Sequence, residues 1–217
     1  MRIALIHALR YSPPPIEAAF ARLWPQAELA NLLDDSLSSD LARTGRLDEA
    51  MHQRFLTLGR YARETGADAI LFTCSAFGAC IDRVRADLAP MVVHRPNQGM
   101  FAEAVAHGGR IGLIASFRPS LASLAAEYPA GTQVTPIFAA GALDALERGD
   151  LEAHDRLTAE AAAKADVDVF ALGQFSLARA ADRVRQATGK AVLTTPDAAV
   201  RELARTLGVP LTQAASA

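Results

Sequence analysis

The chain has 217 residues, of which 51% are hydrophobic, 21% charged and 6% aromatic. This apolar fraction is sufficient for a full core and excludes wholesale disorder. The 22 basic and 24 acidic residues give a net charge of −2, which argues against nucleic-acid binding and against a polybasic membrane anchor. No apolar run reaches the roughly 18 residues of a membrane span, and two closely spaced cysteines favour a reducing, cytoplasmic location.

Six short apolar runs along the chain are typical of buried parallel strands. The first, within MRIALIHALRYSPPP, is too short for a signal peptide and runs into prolines, so it predicts a strand. The runs are IALIHA from Ile3, AILFTC from Ala69, MVVH from Met91, RIGLIAS from Arg110, VDVFALG from Val167 and KAVLTT from Lys190. Helix-like stretches separate them, which predicts an α/β fold with parallel sheets covered on both faces.

The sequence contains an internal repeat. RIALIHALRYS from Arg2 aligns with RIGLIASFRPS from Arg110, and DRVR from Asp82 aligns with DRVR from Asp182. We therefore predict two similar α/β lobes related by pseudo-twofold symmetry: residues 1–96 with a C-terminal return of residues 197–217, and residues 97–196. Because ligands of open α/β sheets bind beyond the carboxyl ends of the strands, the active site is expected in the cleft between the lobes.

Cys74 is the first candidate for chemistry. It follows a buried strand and precedes a helix-like segment, where free N–H groups and the helix dipole favour a thiolate. The alternative is a small buried hydrophobic side chain, which is what we expect of Cys80. The repeat aligns Cys74 with Gln174, and an amide cannot act as an acid or a base near neutral pH.

The segments ILFTCSAFG and FALGQFS, with RIGLIASFRPS between them, resemble the aspartate/glutamate/hydantoin racemase superfamily, which includes maleate isomerases and arylmalonate decarboxylases. The resemblance covers nearly the whole chain. It implies an enzyme acting on a small carboxylate substrate without cofactor or metal, and it allows a homodimer. The racemases of the family carry one cysteine in each half. By resemblance, the first matches Cys74, whereas Gln174 occupies the second-cysteine position.

A single thiol is suited to a reaction that needs one proton donor. The family's arylmalonate decarboxylases also use one cysteine, matched to the second-half position, so this chain resembles their mirror arrangement. Decarboxylation of a substituted malonate would leave Cys74 to protonate an enediolate, which requires that its pKa is not driven too low. Racemisation would need a second base, such as His7 or His94. Two further alternatives are a non-catalytic small-carboxylate-binding protein and a cis–trans isomerase of an unsaturated diacid.

Negative charge that develops on carboxylate oxygens is expected to meet hydroxyl and N–H groups at helix starts. The candidate substrate- and oxyanion-binding residues in both halves are Ser12, Thr73, Ser75, Ala76, Ser116, Phe117, Gly173, Phe175 and Ser176. Each serine could equally be an ordinary helix N-cap. His7 and His94 end predicted strands, and each either contacts substrate or is a hydrogen-bonded structural residue.

Overall fold

Strands alternate with helices throughout residues 1–211, which a computed structural model describes. The strands are β1 Arg2–His7, β2 Glu28–Leu33, β3 Ala69–Phe72, β4 Val92–His94, β5 Ile111–Ala115, β6 Val134–Phe138, β7 Val169–Leu172 and β8 Ala191–Thr194. The helices are α1 Pro13–Leu23, α2 Ser36–Thr44, α3 Glu49–Glu64, α4 Gly78–Leu88, α5 Gln98–His107, α6 Arg118–Ala126, α7 Ala142–Glu147, α8 Leu151–Ala162, α9 Ala181–Thr188 and α10 Thr195–Thr206. Short 3-10 helices, Ser75–Phe77 and Phe175–Ala180, lead into α4 and α9. None of the helices in this range is long and apolar enough to cross a membrane.

The chain divides into two compact units of the same topology. Unit 1 contains Met1–Gln98 and the chain from Ala199 onward, and unit 2 contains Gly99–Ala198. The sheet of unit 1 has the strand order β2-β1-β3-β4 and that of unit 2 has the order β6-β5-β7-β8. All neighbouring strands are parallel. The predicted α/β fold with two similar parallel sheets is therefore confirmed.

The two units also share strand register, which defines equivalent positions in their sheets. Ile6 lies opposite Phe72 in the β1–β3 pair, and Ile114 lies opposite Leu172 in the β5–β7 pair. The next residues along the chain are therefore equivalent pairs. His7 with Thr73 corresponds to Ala115 with Gly173, and Ala8 with Cys74 corresponds to Ser116 with Gln174.

Two strands, β2 and β6, are absent from the strands predicted from sequence. Both lie at the edges of their sheets, and β2 has no fully buried side chain, whereas β6 buries only Ile137. The prediction relied on buried apolar runs, and edge strands do not show them. Pro136 in β6 fits its edge position, because a proline has no N–H group to donate to a neighbouring strand.

The unit 1 core covers the sheet beneath the end of β3. Phe55 of α3 stacks on Phe72 of β3 at a centroid distance of 5.3 Å and lies 4.9 Å from Phe77. All three rings are buried, and each contributes about 1.5–3 kcal/mol by burial. Gly59 brings α3 close to α4, because a Cβ at this position would lie 2.5 Å from Cγ1 of Val84. The end of β3 is thus fixed by close packing against α3 and the residues that lead into α4.

Candidate functional site

Cys74 lies at the carboxyl edge of the unit 1 sheet, two residues beyond the end of β3. Its backbone is extended (φ −123°, ψ 122°), and it immediately precedes the 3-10 helix Ser75–Phe77. The side chain is half-buried and packs against the unit 1 core. Cys80, in α4, is fully buried in the same core, as its helical position predicted.

Burial raises the pKa of the Cys74 thiol, and this effect outweighs hydrogen bonding from the Ala76 N–H group and the Ser38 hydroxyl. The expectation that the helix start would favour a thiolate is therefore wrong in its net effect. The structural reason is that the side chain packs against the unit 1 core, where the cost of burying a charge exceeds the stabilisation that the neighbouring hydrogen-bond donors supply. Cys74 is consequently a protonated thiol at neutral pH. The Ser38 hydroxyl, in α2, has a single proton and also lies 3.0 Å from the Ala8 carbonyl oxygen, which competes with Cys74 for that proton.

His7 is fully buried and both of its ring nitrogens are engaged. Nδ1 lies 2.8 Å from Oγ1 of Thr73, and Nε2 lies 2.9 Å from Oδ1 of Asn31. The Asn31 amide nitrogen donates to Glu17 at 2.7 Å, so the amide oxygen faces His7 and accepts from Nε2. Nδ1 of the neutral ring then accepts from the Thr73 hydroxyl. Burial lowers the pKa of His7, although Asn31 and Glu17 oppose the shift, so His7 is a neutral residue that joins the ends of β1 and β3.

His94 ends β4 and is 5% exposed. Burial lowers its pKa to about 4, with Glu202 opposing and Arg85 and Arg205 adding to the shift. Its Nδ1 has no hydrogen-bond partner within residues 1–211. At neutral pH His94 is therefore uncharged and cannot bind a carboxylate as a cation. In the same range, no group of three or more His, Cys, Asp and Glu side chains could hold a metal ion.

Gln174 occupies in unit 2 the register position that Cys74 occupies in unit 1. Its Oε1 accepts from the backbone N–H of Ser116 at 2.6 Å and lies 3.0 Å from the Ser116 hydroxyl. Ser116 is buried, so both of its donors are engaged by the Gln174 side chain. Gly173, the equivalent of Thr73, is closely surrounded, because a Cβ would lie 3.0 Å from Cδ1 of Leu124 and 3.2 Å from the Ile114 carbonyl oxygen.

The other predicted oxyanion-binding residues differ in what they offer. Ser12 is buried before α1 and makes no capping hydrogen bond, and the prolines at residues 13–15 lack the N–H groups that would bind an anion there. Ser75, Ala76 and Ser176 are half-buried, Phe175 is buried in unit 2, and Phe117 is 39% exposed. Unit 1 thus brings together Thr73, Cys74, Ser75, Ala76 and His7 at the ends of β1 and β3.

Three residues of this arrangement were not predicted from sequence: Glu17, Asn31 and Ser38. Asn31 interrupts the apolar run ELANLL of β2, and asparagine is depleted in strands. This interruption was the one signal that could have indicated a specific polar partner. Ser38 lies among other serines in SLSS and carries no comparable signal.

Comparison with known proteins gives matches only among solved structures; no family model and no curated protein matches the sequence. The fold is similar to that of a glutamate racemase from Francisella tularensis subsp. tularensis SCHU S4 in complex with D-glutamate (TM-score 0.70, 13% identity, 95% of this chain and 81% of that chain). It is similar to Picrophilus torridus aspartate racemase (TM-score 0.71, 11% identity, 98% and 96%). It is also similar to a glycine-to-cysteine mutant of arylmalonate decarboxylase (TM-score 0.65, 20% identity, 96% and 94%).

At these levels of identity the comparisons establish the fold. Each match extends over nearly all of this chain, so both units are included. The chain therefore has the same fold as these two racemases and this decarboxylase, as its sequence resemblance predicted.

Proposed function

We propose that the chain is a cofactor-independent enzyme that transfers a proton at a carbon next to a carboxylate, with Cys74 as its sole catalytic thiol. Decarboxylation of a substituted malonate is the reaction favoured here. The observation that carries the proposal is a half-buried thiol with a raised pKa at the carboxyl edge of a parallel sheet. Parallel α/β sheets bind their ligands at this edge.

A protonated thiol is suited to the second half of a decarboxylation. When a malonate loses CO2, the electron pair of the broken carbon–carbon bond remains on the substrate as an enediolate. Cys74 then gives its S–H proton to the carbon, and the resulting thiolate regains a proton from water. The raised pKa of Cys74 helps the step, because it keeps the proton on sulfur until the enediolate forms.

Racemisation needs a group that removes a proton as well as one that returns it, and the candidate bases are poorly suited to this. Gln174 is an amide, and its oxygen is engaged by Ser116. His7 has both ring nitrogens in hydrogen bonds, and His94 is buried with a pKa of about 4. These features favour a reaction with one proton donor.

The solved structures with this fold support the same class of chemistry. They include racemases of glutamate and aspartate and an arylmalonate decarboxylase. The decarboxylase is represented by a liganded mutant with one glycine replaced by cysteine and one cysteine replaced by serine. Racemisation and decarboxylation both pass through a carbanion next to a carboxylate, so both belong in the experimental test.

The test is a proton NMR assay in D2O on wild type, Cys74→Ala and the matched control Cys80→Ala. The substrates are phenylmalonate, methylphenylmalonate, aspartate, glutamate, a substituted hydantoin and maleate. We expect methylphenylmalonate to lose CO2 and to gain deuterium on one face. The Cys74→Ala variant should be slower by about 10²- to 10⁴-fold, the usual contribution of a general acid, whereas Cys80→Ala should retain activity.

Other outcomes would contradict the proposal in different ways. Deuterium exchange at Cα of aspartate or glutamate without loss of CO2 would identify a racemase with a second base. Full activity in Cys74→Ala would remove the thiol from the mechanism. Binding of these carboxylates without turnover of any of them would identify a binding protein.

Alkylation of the two cysteines gives an independent check on the state of the thiol. Burial raises the pKa of Cys74 and raises that of Cys80 to about 11. We expect iodoacetamide to modify Cys74 slowly at pH 7 and faster as the pH rises beyond 9, because the thiolate is the reactive form. Cys80, which is fully buried, should remain unmodified in the folded chain. Rapid alkylation of Cys74 at pH 6 would contradict a protonated thiol.

A further inference from the structure

The orientation of the Gln174 amide is fixed by one neighbouring residue. The Ser116 backbone N–H group can only donate, and it lies 2.6 Å from Oε1 of Gln174. The Ser116 hydroxyl lies 3.0 Å from the same oxygen. If the amide were turned round, its NH2 group, which is a donor, would face the Ser116 N–H group, which is also a donor. The assignment of oxygen and nitrogen is therefore unambiguous.

The other end of the amide, Nε2, therefore points away from Ser116 and carries two N–H donors. Within residues 1–211, Nε2 has no hydrogen-bond partner, and the Gln174 side chain is half-buried, so it is partly accessible from outside. It is accordingly open to an acceptor from outside the chain. The amide is held in place by Ser116, which is buried and contacts Oε1 through both its backbone N–H group and its hydroxyl.

The chemistry of this position differs from that of Cys74 in unit 1. The oxygen of Gln174 engages the two Ser116 donors that would otherwise bind an anion. The position consequently presents N–H donors, no free acceptor and no group that titrates near neutral pH. Such a position selects a ligand with an acceptor oxygen, and an ionised carboxylate forms a stronger, charge-assisted hydrogen bond than a neutral carbonyl or hydroxyl oxygen.

We propose that Gln174 binds a carboxylate oxygen of a small carboxylate ligand through Nε2, at the position of unit 2 that is equivalent in register to Cys74 of unit 1. The inference rests on the proposed function for its ligand class. The Gln174 side chain presents N–H donors to this ligand and has no group that could remove a proton from carbon.

The test compares three variants with the wild-type sequence by calorimetric titration with phenylmalonate, with Cys74→Ala in all four chains so that the ligand is not consumed. In Gln174→Glu, one carboxylate oxygen can still accept from Ser116, while the other replaces the N–H donors with negative charge. Gln174→Met removes the donors without adding charge. We expect Gln174→Glu to weaken phenylmalonate binding by about ten- to hundredfold, the effect of losing a hydrogen bond to a charged group. Gln174→Met should weaken it by less, because it releases the Ser116 donors, which can then partly replace the amide. Gln186→Glu, an exposed glutamine of unit 2, controls for added charge and should bind within about twofold of wild type.

A second measurement uses the unaltered chain and so does not depend on the folding of a variant. With uniform ¹³C and ¹⁵N labelling, the side-chain NH2 signals of Gln174 are assigned through bonds from its own backbone amide. We expect these signals to move on titration with phenylmalonate, with the amide protons shifting downfield as they donate to a carboxylate.

The outcomes separate this inference from the proposed function. Movement of the Gln174 signals without turnover of phenylmalonate would support the inference and contradict decarboxylation. Turnover with unmoved Gln174 signals, or binding that is unchanged in both Gln174 variants, would overturn the inference and leave the role of Cys74 standing. If no carboxylate of the panel moves the Gln174 signals, the inference fails whatever the activity.

Discussion

The buried imidazole of His94 should make unit 1 sensitive to acid. The ring has a pKa near 6.5 in the unfolded chain and about 4 in the folded one. Between these values the unfolded state binds the proton and the folded state does not. The free energy of unfolding therefore falls as the pH falls from 6.5 towards 4, and this contribution is intact above pH 6.5. Replacing His94 by leucine should remove it.

The size of the effect follows from the shift in pKa. Each pH unit in this window costs about 1.4 kcal/mol per histidine, so His94 accounts for about 3 kcal/mol between pH 6.5 and pH 4. That is a large part of the 5–15 kcal/mol that stabilises a typical domain (an order-of-magnitude range). His7, whose pKa is also lowered by burial, adds to the same trend and remains in the variant.

The assay is urea unfolding at a series of pH values, followed by fluorescence. Trp24 is the only tryptophan in the sequence, and it is buried in unit 1, which also contains His94. The wild type should lose about 3 kcal/mol more than His94→Leu on going from pH 7 to pH 4. His107→Gln, which replaces an exposed histidine, should follow the wild-type curve. Equal slopes for wild type and His94→Leu would show that His94 is protonated in the folded chain, and the argument from burial would then be wrong.

Two further predictions concern the groups around Cys74. Ser38→Ala removes a hydroxyl that stabilises the Cys74 thiolate, so alkylation of Cys74 at pH 8 should slow by about three- to tenfold, equivalent to ~1 kcal/mol. The control Ser39→Ala changes the neighbouring exposed serine and should not alter the rate. Equal alkylation rates in the two variants would contradict the contact between Ser38 and Cys74. Thr73→Val leaves a buried imidazole nitrogen unpaired and should lower the free energy of unfolding by about 1–3 kcal/mol. Thr57→Val, at an exposed helical site, should change it by less than about 0.5 kcal/mol, and a similar small change at Thr73 would show that the His7 bond contributes little.

The sequence predicted the elements that bury apolar side chains. β1, β3, β5 and β7 are central strands whose residues are almost all buried, so each appears as an apolar run. The position of Cys74 at a strand exit followed from the same pattern. The edge strands β2 and β6 were not predicted, because half of their surface faces solvent and polar residues interrupt them.

The hydrogen-bond partners within the site could not be predicted in the same way. Asn31 reaches His7 across 24 residues of sequence, and Ser116 reaches Gln174 across 58. These contacts depend on which strands pair and in which register. A strand that is buried on both faces is a continuous apolar run, and such a run does not identify its neighbour. The sign of the Cys74 pKa shift was missed for a related reason, since the thiol's burial depends on packing against the unit 1 core.

The two units differ in chemistry because their hydrogen-bonded polar side-chain pairs lie at neighbouring register positions rather than at the same one. In unit 1 the pair is His7 with Thr73, and the next position holds Cys74, whose sulfur remains available as a thiol. In unit 2 the polar pair is Ser116 with Gln174, at the position of the thiol itself.

The His–Thr pair of unit 1 has no counterpart in unit 2, where Ala115 and Gly173 stand at the equivalent positions. A Cβ at Gly173 would lie 3.2 Å from the Ile114 carbonyl oxygen and 3.0 Å from Cδ1 of Leu124, so a side chain there would require its neighbours to shift slightly. Glycine avoids this shift. The polar pair of unit 2 lies at the next position, where the amide oxygen of Gln174 accepts from the Ser116 N–H group.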